Sequence, residues 1–159
     1  MTSSSIRSSD SKEVTSEMKA KALANRFDHI VLTVSDVEAT ASFYERALGF
    51  DRQVFQGSDG KPRYALRFGN QKINLQDRAT DTANKARVPT LGSGDFCLVA
   101  AVPLKQVLDH LHAEKIAILA GPLARKGALG PMQSVYFRDP DGNLVEISQY
   151  QEPQRGSQV

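Results

Sequence analysis

Apolar and polar residues change their period several times along this chain, and each change marks an element. Phe27 to Val34 is a run rich in branched residues and reads as a buried strand. Ser35 and Asp36 offer a helix cap, and Val37, Ala41, Tyr44 and Leu48 then recur at helical spacing until Gly49 stops the pattern. Three short strands follow, over Phe50–Gln56, Arg63–Phe68 and Gln71–Gln76, with turns at Gly57-Ser58-Asp59-Gly60 and Gly69-Asn70. Asp77 to Ser93 is polar and aperiodic and reads as a linker.

The same order then returns. Asp95–Ala101 is a strand, Pro103 opens a helix whose stripe is Val107, Leu108 and Leu111, and Ile116–Leu123 is a strand ending at Gly121-Pro122. Arg125 to Pro131 reads as a loop containing glycine. Met132–Arg138 and Asn143–Tyr150 are joined by Asp139-Pro140-Asp141-Gly142-Asn143, a tight turn by composition, and form a hairpin. Two copies of strand, helix and three strands predict an α+β domain of paired βαβββ modules, about 27–76 and 94–150, whose mixed sheets face each other across a curved cleft.

Strand parity nominates the residues of that cleft. In the last strand Leu144, Glu146 and Ser148 share one face, which places the Glu146 carboxylate in the middle of an apolar strand. Buried carboxylates are costly unless paired or bound to a metal. On the first strand the all-apolar set Ile30, Leu32 and Val34 should meet the helix, which turns His29 to the other side. Lys72, Asn74 and Gln76 form a polar face, and Ser134, Tyr136 and Arg138 form another. One imidazole, one carboxylate and amide oxygens on a concave surface can hold a divalent cation. The stretch Arg125-Lys126-Gly127-Ala128-Leu129-Gly130 is basic and suits an anion, and Arg67 can meet a carboxylate if it turns inward with Ala65. His110 and His112 lie two apart on a helix, so they cannot chelate together. Cys97 reads as an inert core residue of an apolar strand.

Composition narrows the classes. With 159 residues, 40% apolar and 24% charged, the chain suits one globular domain. A net charge of +2 implies neither nucleic acid nor a membrane surface as partner. No apolar run reaches the roughly 20 residues of a spanning helix. A single cysteine excludes an internal disulfide and fits the reducing cytoplasm. Residues 1–25, rich in serine and charge, are expected to be a disordered tail that turns helical from about Glu13, and 151–159 a second loose end.

The segments FDHIVLTV, FYERALGF and FRDPDGNLVEIS together resemble the vicinal oxygen chelate superfamily, which includes glyoxalase I, extradiol ring-cleavage dioxygenases, fosfomycin-resistance thiol transferases and bleomycin-binding proteins. FGNQKINLQ, GSGDFCLVAAVPL and GPLARKGALGPMQSVYFRDPDGN further resemble a small branch of glyoxalase-domain proteins. The resemblance spans about Phe27 to Tyr150. It implies the glyoxalase/bleomycin-resistance/dioxygenase fold, with metal ligands at His29 and Glu146 and Tyr136 beside the substrate. Many members open the second module with a histidine, and the resemblance aligns Phe96 there, a residue suited to an apolar ligand. Asn74 and Gln76 are the candidates for a ligand on the fourth strand, and Gln76 is taken as the third metal donor. The implied protein is a homodimeric enzyme that uses Fe, Mn, Zn or Mg on a small oxygenated, anionic metabolite, with Ser134, Arg67, Arg125 and Lys126 as substrate contacts. Lyase, isomerase, lactone-opening and dioxygenase chemistry all fit. The alternative is a metal-free binding protein that sequesters a small molecule.

Overall fold

The computed structural model describes residues 22–80 and 85–151. The expectations for residues 1–21 and 152–159 lie outside that range. The elements are β1 His29–Thr33, α1 Val37–Leu48, β2 Asp51–Gln56, β3 Pro62–Phe68 and β4 Gln71–Gln76, then β5 Asp95–Val99, α2 Leu104–Ala113, β6 Ile118–Gly127, β7 Gly130–Arg138 and β8 Leu144–Tyr150. They form two four-stranded sheets, ordered β1-β4-β3-β2 and β5-β8-β7-β6. In each, the first strand runs parallel to the last and the other pairs are antiparallel. This is the paired βαβββ architecture.

Local chemistry sets the helix ends. The Asp36 carboxylate accepts from the Ala39 N–H at 2.9 Å, and Gly49 takes a left-handed φ of 66° that lets its N–H close on the Glu45 carbonyl. Pro103 starts α2, and its cap comes from a distant side chain: the Leu104 N–H donates to Gln149 Oε1 at 2.8 Å. One expectation is corrected here. Arg125 to Gly130 is mostly strand: β6 runs through Gly121-Pro122 with irregular register as far as Gly127, and only Ala128 and Leu129 turn.

Which faces meet is the decisive feature. The core is one continuous cluster that takes Leu32, Leu66, Ile73 and Leu75 from the first sheet and Val135, Phe137, Val145 and Ile147 from the second. Helix α1 serves both sheets. Tyr44 stacks on Phe50 of its own module, while the Phe43 ring packs 6.2 Å from Phe137 of β7. Its C-terminal end meets α2, where His110 Nε2 lies 2.8 Å from the Arg46 carbonyl and Arg46 pairs with Glu114 at 3.3 Å. The sheets therefore back onto a shared helical layer. Helix α1 packs on β2, β3 and β4 and helix α2 on β7 and β8, so each sheet turns its apolar face to a helix and its polar face away from it. The modules are also joined through the β7–β8 turn, where Tyr44 Oη donates to Asp139 Oδ2 at 3.1 Å and the Ser35 N–H donates to the Asp141 carboxylate at 3.0 Å.

Candidate functional site

Register shows which side chains share each outward face. On the first sheet, His29, Val31 and Thr33 of β1 stand beside Lys72, Asn74 and Gln76 of β4, with Ala65 and Arg67 of β3 next in line. His29 is exposed, and its Nδ1 lies 2.9 Å from Asp28 Oδ1. When Nδ1 carries the proton and donates it there, Nε2 is left with its lone pair free. Gln76 is tied down, because its Nε2 donates to Thr33 Oγ1 at 2.9 Å. Asn74 Oδ1 is buried and has no hydrogen-bond partner among the described residues, an acceptor without a donor.

On the second sheet, Asp95, Cys97 and Val99 of β5 stand beside Leu144, Glu146 and Ser148 of β8, and Tyr136 and Ser134 of β7 lie opposite Glu146 and Ser148. Here the side chains form a network. Ser134 Oγ and Ser148 Oγ are both buried and lie 2.7 Å apart, and Ser148 Oγ donates to Glu146 Oε1 at 3.0 Å. Cys97 Sγ is 3.1 Å from Ser148 Oγ. Arg125 Nε donates to Tyr136 Oη at 2.9 Å, and its guanidinium sits over the Tyr136 ring. Partial burial pushes the Glu146 carboxyl up, but hydrogen bonds from Ser134, Tyr136, Ser148 and Cys97 outweigh it and hold the group below its ordinary value of 4.5. Glu146 is thus an anion at neutral pH. Burial raises the Cys97 thiol, with the neighbouring Glu146 adding to the shift, so Cys97 stays protonated.

The structure brings Glu146, Tyr136, Ser134 and Arg125 together. It places His29, Gln76 and Arg67 on the outward face of the other sheet. Two nominated residues turn elsewhere. Phe96 pairs with Val145 and packs against the shared core, because it alternates with Cys97, the residue that lies level with Glu146. There it lines a groove of about 570 Å³ between the edges of β1 and β5, together with Ile30, Leu32 and Leu98. Lys126 alternates with Arg125 along β6 and so points away from Tyr136. Cys97 is exposed on the Glu146 face and is not a core residue. Sequence reasoning passed over Ser148 as a hydrogen-bond donor, although its parity with Glu146 was visible. Among the described residues, no group of three or more His, Cys, Asp or Glu side chains could hold a metal within one chain, and no helix is long and apolar enough to cross a membrane.

Paired βαβββ modules, each with its first strand parallel to its last, define one class of α+β fold. The chain belongs to the Glyoxalase/Bleomycin resistance protein/Dioxygenase superfamily, whose model matches residues 26–147. It is 46% identical over 128 residues to "Virulence protein STM3117" of Salmonella typhimurium, covering 80% of this chain and 86% of that one. It is 43% identical over 125 residues to "Glyoxalase domain-containing protein RDO1" of Mycosarcoma maydis, covering 79% and 68%. Among solved structures, VPC_CASS1 from the mobile metagenome of V. Pseudocholerae superposes with a TM-score of 0.77 at 39% identity over 83% of this chain and 99% of that one. TnmS3, an antibiotic binding protein from Streptomyces sp. CB03234, shares the fold at a TM-score of 0.64 and 20% identity, over 82% of this chain and all of the other.

Proposed function

We propose that the protein is a metal-dependent enzyme that moves a proton on a small, oxygenated, anionic metabolite, as a lyase or isomerase does, at sites shared between two copies of the chain. The observation that carries this reading is the Glu146 cluster: an ionised carboxylate on an outward strand face, held by side-chain hydrogen bonds, with the Arg125–Tyr136 pair beside it. The residues fit a divalent ion in their donor chemistry. Glu146 supplies an anionic oxygen, His29 a free Nε2 set by Asp28, and the β4 amides Asn74 and Gln76 neutral oxygens, with Asn74 Oδ1 left partnerless. Such a set suits a hard or borderline ion such as Mn, Mg, Fe(II) or Zn. When bound, the ion supplies Lewis-acid polarisation of substrate oxygens.

The chain's own residues do the rest. Glu146 accepts a proton from a carbon of the substrate, and Ser148 Oγ keeps Oε1 oriented for it. Tyr136 is held by Arg125 and presents its hydroxyl to the same carboxylate, so it orients an oxygen of the substrate and can return the proton. Arg125 and, from the other sheet, Arg67 receive the substrate's anionic group.

His29 and Glu146 belong to different sheets, and among the described residues of one chain no three His, Cys, Asp or Glu side chains gather as a metal site, so this reading sets the common site between two chains. Two copies related by a twofold axis, each setting its first sheet against the other's second sheet, form two equal sites. Apolar side chains left open on these faces support that association: Val31 is 50% exposed, Phe55 45% and Val99 63%. The test is metal analysis of the untagged protein after loading with Mn, Fe, Zn and Mg, followed by a turnover screen over small hydroxy acids, lactones and catechols. The reading predicts close to one ion per chain and the loss of both uptake and turnover in Glu146→Gln. Uptake below about a tenth of an equivalent removes it. The second reading, a metal-free binding protein, draws support from the fold shared with TnmS3. It predicts that His29→Ala leaves ligand affinity unchanged.

A further inference from the structure

On the outward face of the first sheet, two rows of directly paired residues cross all four strands. One row is His29, Lys72, Arg67 and Asp51, and the next is Val31, Asn74, Ala65 and Gln53. Lys72 and Arg67 are therefore like charges directly opposite each other on neighbouring strands, an arrangement that costs stability unless something negative joins them. No carboxylate of the described residues does so. Neither cation is in an ion pair, Asp28 is engaged by Arg26 and His29, and Asp51, opposite Arg67, is not within ion-pair distance of it.

Lys72 turns to an aromatic ring instead. Its ammonium lies over Phe55 of β2, 5.5 Å from the ring centroid. Arg67, Ala65 and Arg63 follow one another along this face of β3, with Lys72 opposite the first and Phe55 opposite the last. The lysine stem therefore runs diagonally over Ala65, the small residue between the two arginines. That path accounts for two burials on a face turned away from the core: Ala65 is 1% exposed, and Asn74 Oδ1, beside it, is buried without a donor.

We infer that Lys72 and Arg67 together receive the anionic group of the substrate, and that Lys72 rests on Phe55 only until that anion arrives. The inference rests on the proposed function above, whose anionic metabolite it assigns to a pair of residues and a movement. The ligand group is one oxyanion, a carboxylate or a phosphate, because cations on neighbouring strands, with Cβ atoms ~5 Å apart, can each meet one of its oxygens. Chemistry sets the direction of the exchange. An ammonium over a half-exposed ring is held less firmly than one that donates charge-assisted hydrogen bonds to an oxyanion. The anion also cancels the repulsion between Lys72 and Arg67. When the stem leaves Phe55, Ala65 and the free acceptor of Asn74 are uncovered, so the floor of the site opens as the charge is taken up.

The experiment follows the backbone amide signals of Lys72 and Phe55 by nuclear magnetic resonance while the full-length protein is titrated with sodium acetate or inorganic phosphate at constant ionic strength, with and without Mg(II). The tighter of the two anions identifies the charged group as carboxylate or phosphate. Lys72→Met should weaken its binding by ~10-fold or more, and Lys72→Arg, which keeps the charge, should stay within ~3-fold of wild type. Phe55→Leu should tighten binding by ~2–5-fold, because it removes the competing resting place, a change that a merely structural lysine–ring contact would not produce. Lys105→Met, which alters an exposed lysine of α2, should leave it unchanged. Wild-type affinity in Lys72→Met, a Phe55→Leu protein that binds no more tightly, or no saturable shift with either anion overturns this inference and leaves the metal site standing. Anion binding that depends on Lys72, in a protein that takes up no Mn(II), Fe(II), Zn(II) or Mg(II), removes the metal reading and leaves the anion receptor standing.

Discussion

Replacing Tyr44 with phenylalanine probes the joint between the modules. Tyr44 is fully buried, and its hydroxyl donates to Asp139 Oδ2, which also accepts from Asn143 Nδ2 at 2.7 Å. Asp139 Oδ1 accepts from the N–H groups of Asp141 and Asn143 at 3.0 and 2.9 Å. That carboxylate organises the turn from which β8, with Glu146, begins. The substitution keeps the ring, so the contacts with Phe43 and Phe50 survive and only the hydroxyl is lost. A hydrogen bond to a charged group is worth about 1.5–3 kcal/mol, and Asp139 keeps three other donors, so the expected cost is near 1.5 kcal/mol. Urea unfolding at neutral pH measures it. A pH series adds an independent signature. Burial first, and then the neighbouring Asp139 anion, raise the Tyr44 hydroxyl far above its ordinary value of 10.0. Folding therefore favours the protonated form. The stability this contributes is fully present below pH 10 and is lost as the pH rises, because the unfolded tyrosine ionises and the folded one does not. The wild type should lose about 1.4 kcal/mol per pH unit above that point relative to Tyr44→Phe. Equal stability at neutral pH within ~0.5 kcal/mol, with parallel alkaline profiles, would refute the reasoning.

Other perturbations follow from the same contacts. Gly92 has φ of +66°, and a Cβ there would collide with the Asp141 carbonyl, so Gly92→Ala should lower stability by about 1–3 kcal/mol in thermal or urea melts. Arg52 is held by Glu38, Glu45 and Ser42 of α1, and Arg52→Ala should cost about 1–2 kcal/mol in the same assay. Glu146 has a depressed pKa, so whatever it contributes to stability and metal retention is present above 4.5 and is lost as the pH falls through its folded value. Metal release on acidification should therefore begin below pH 4.5; release already complete above that value would contradict this role for Glu146. Tyr136→Phe should reduce turnover by ~10-fold or more while leaving metal content unchanged, as expected for a residue that handles a proton and does not ligate.

The elements were legible because their periods are clean. Val37–Leu48 and Gln71–Gln76 have the boundaries that the sequence predicts, since Asp36, Gly49 and the Gly69-Asn70 turn fix them locally. The outward turn of His29 and Glu146 followed from parity alone. What sequence could not supply was long-range geometry. The end of the β6–β7 hairpin, Arg125 to Pro131, reads as a loop because Gly127, Gly130 and Pro131 mask the last pairs of a ladder whose register is irregular further back. Phe96 turns to the core because it alternates with Cys97, the residue level with Glu146, and that register comes from the pairing of β5 with β8 and not from the resemblance that nominated it. The direction in which the two modules pack is also non-local. It depends on α1 presenting Phe43 to the second sheet and Tyr44 partly to each, and one amphipathic stripe does not encode that choice.

The central claim is that each site draws one half from each of two chains. Metal content of dimers assembled from His29→Ala and Glu146→Gln chains expressed together tests it most directly. Each variant alone should hold almost no metal, whereas random mixing should restore about a quarter of the sites, since half of the dimers are mixed and each of those contains one intact site. A mixture that holds no more metal than either variant alone, beside a wild type that binds it fully, would contradict the account.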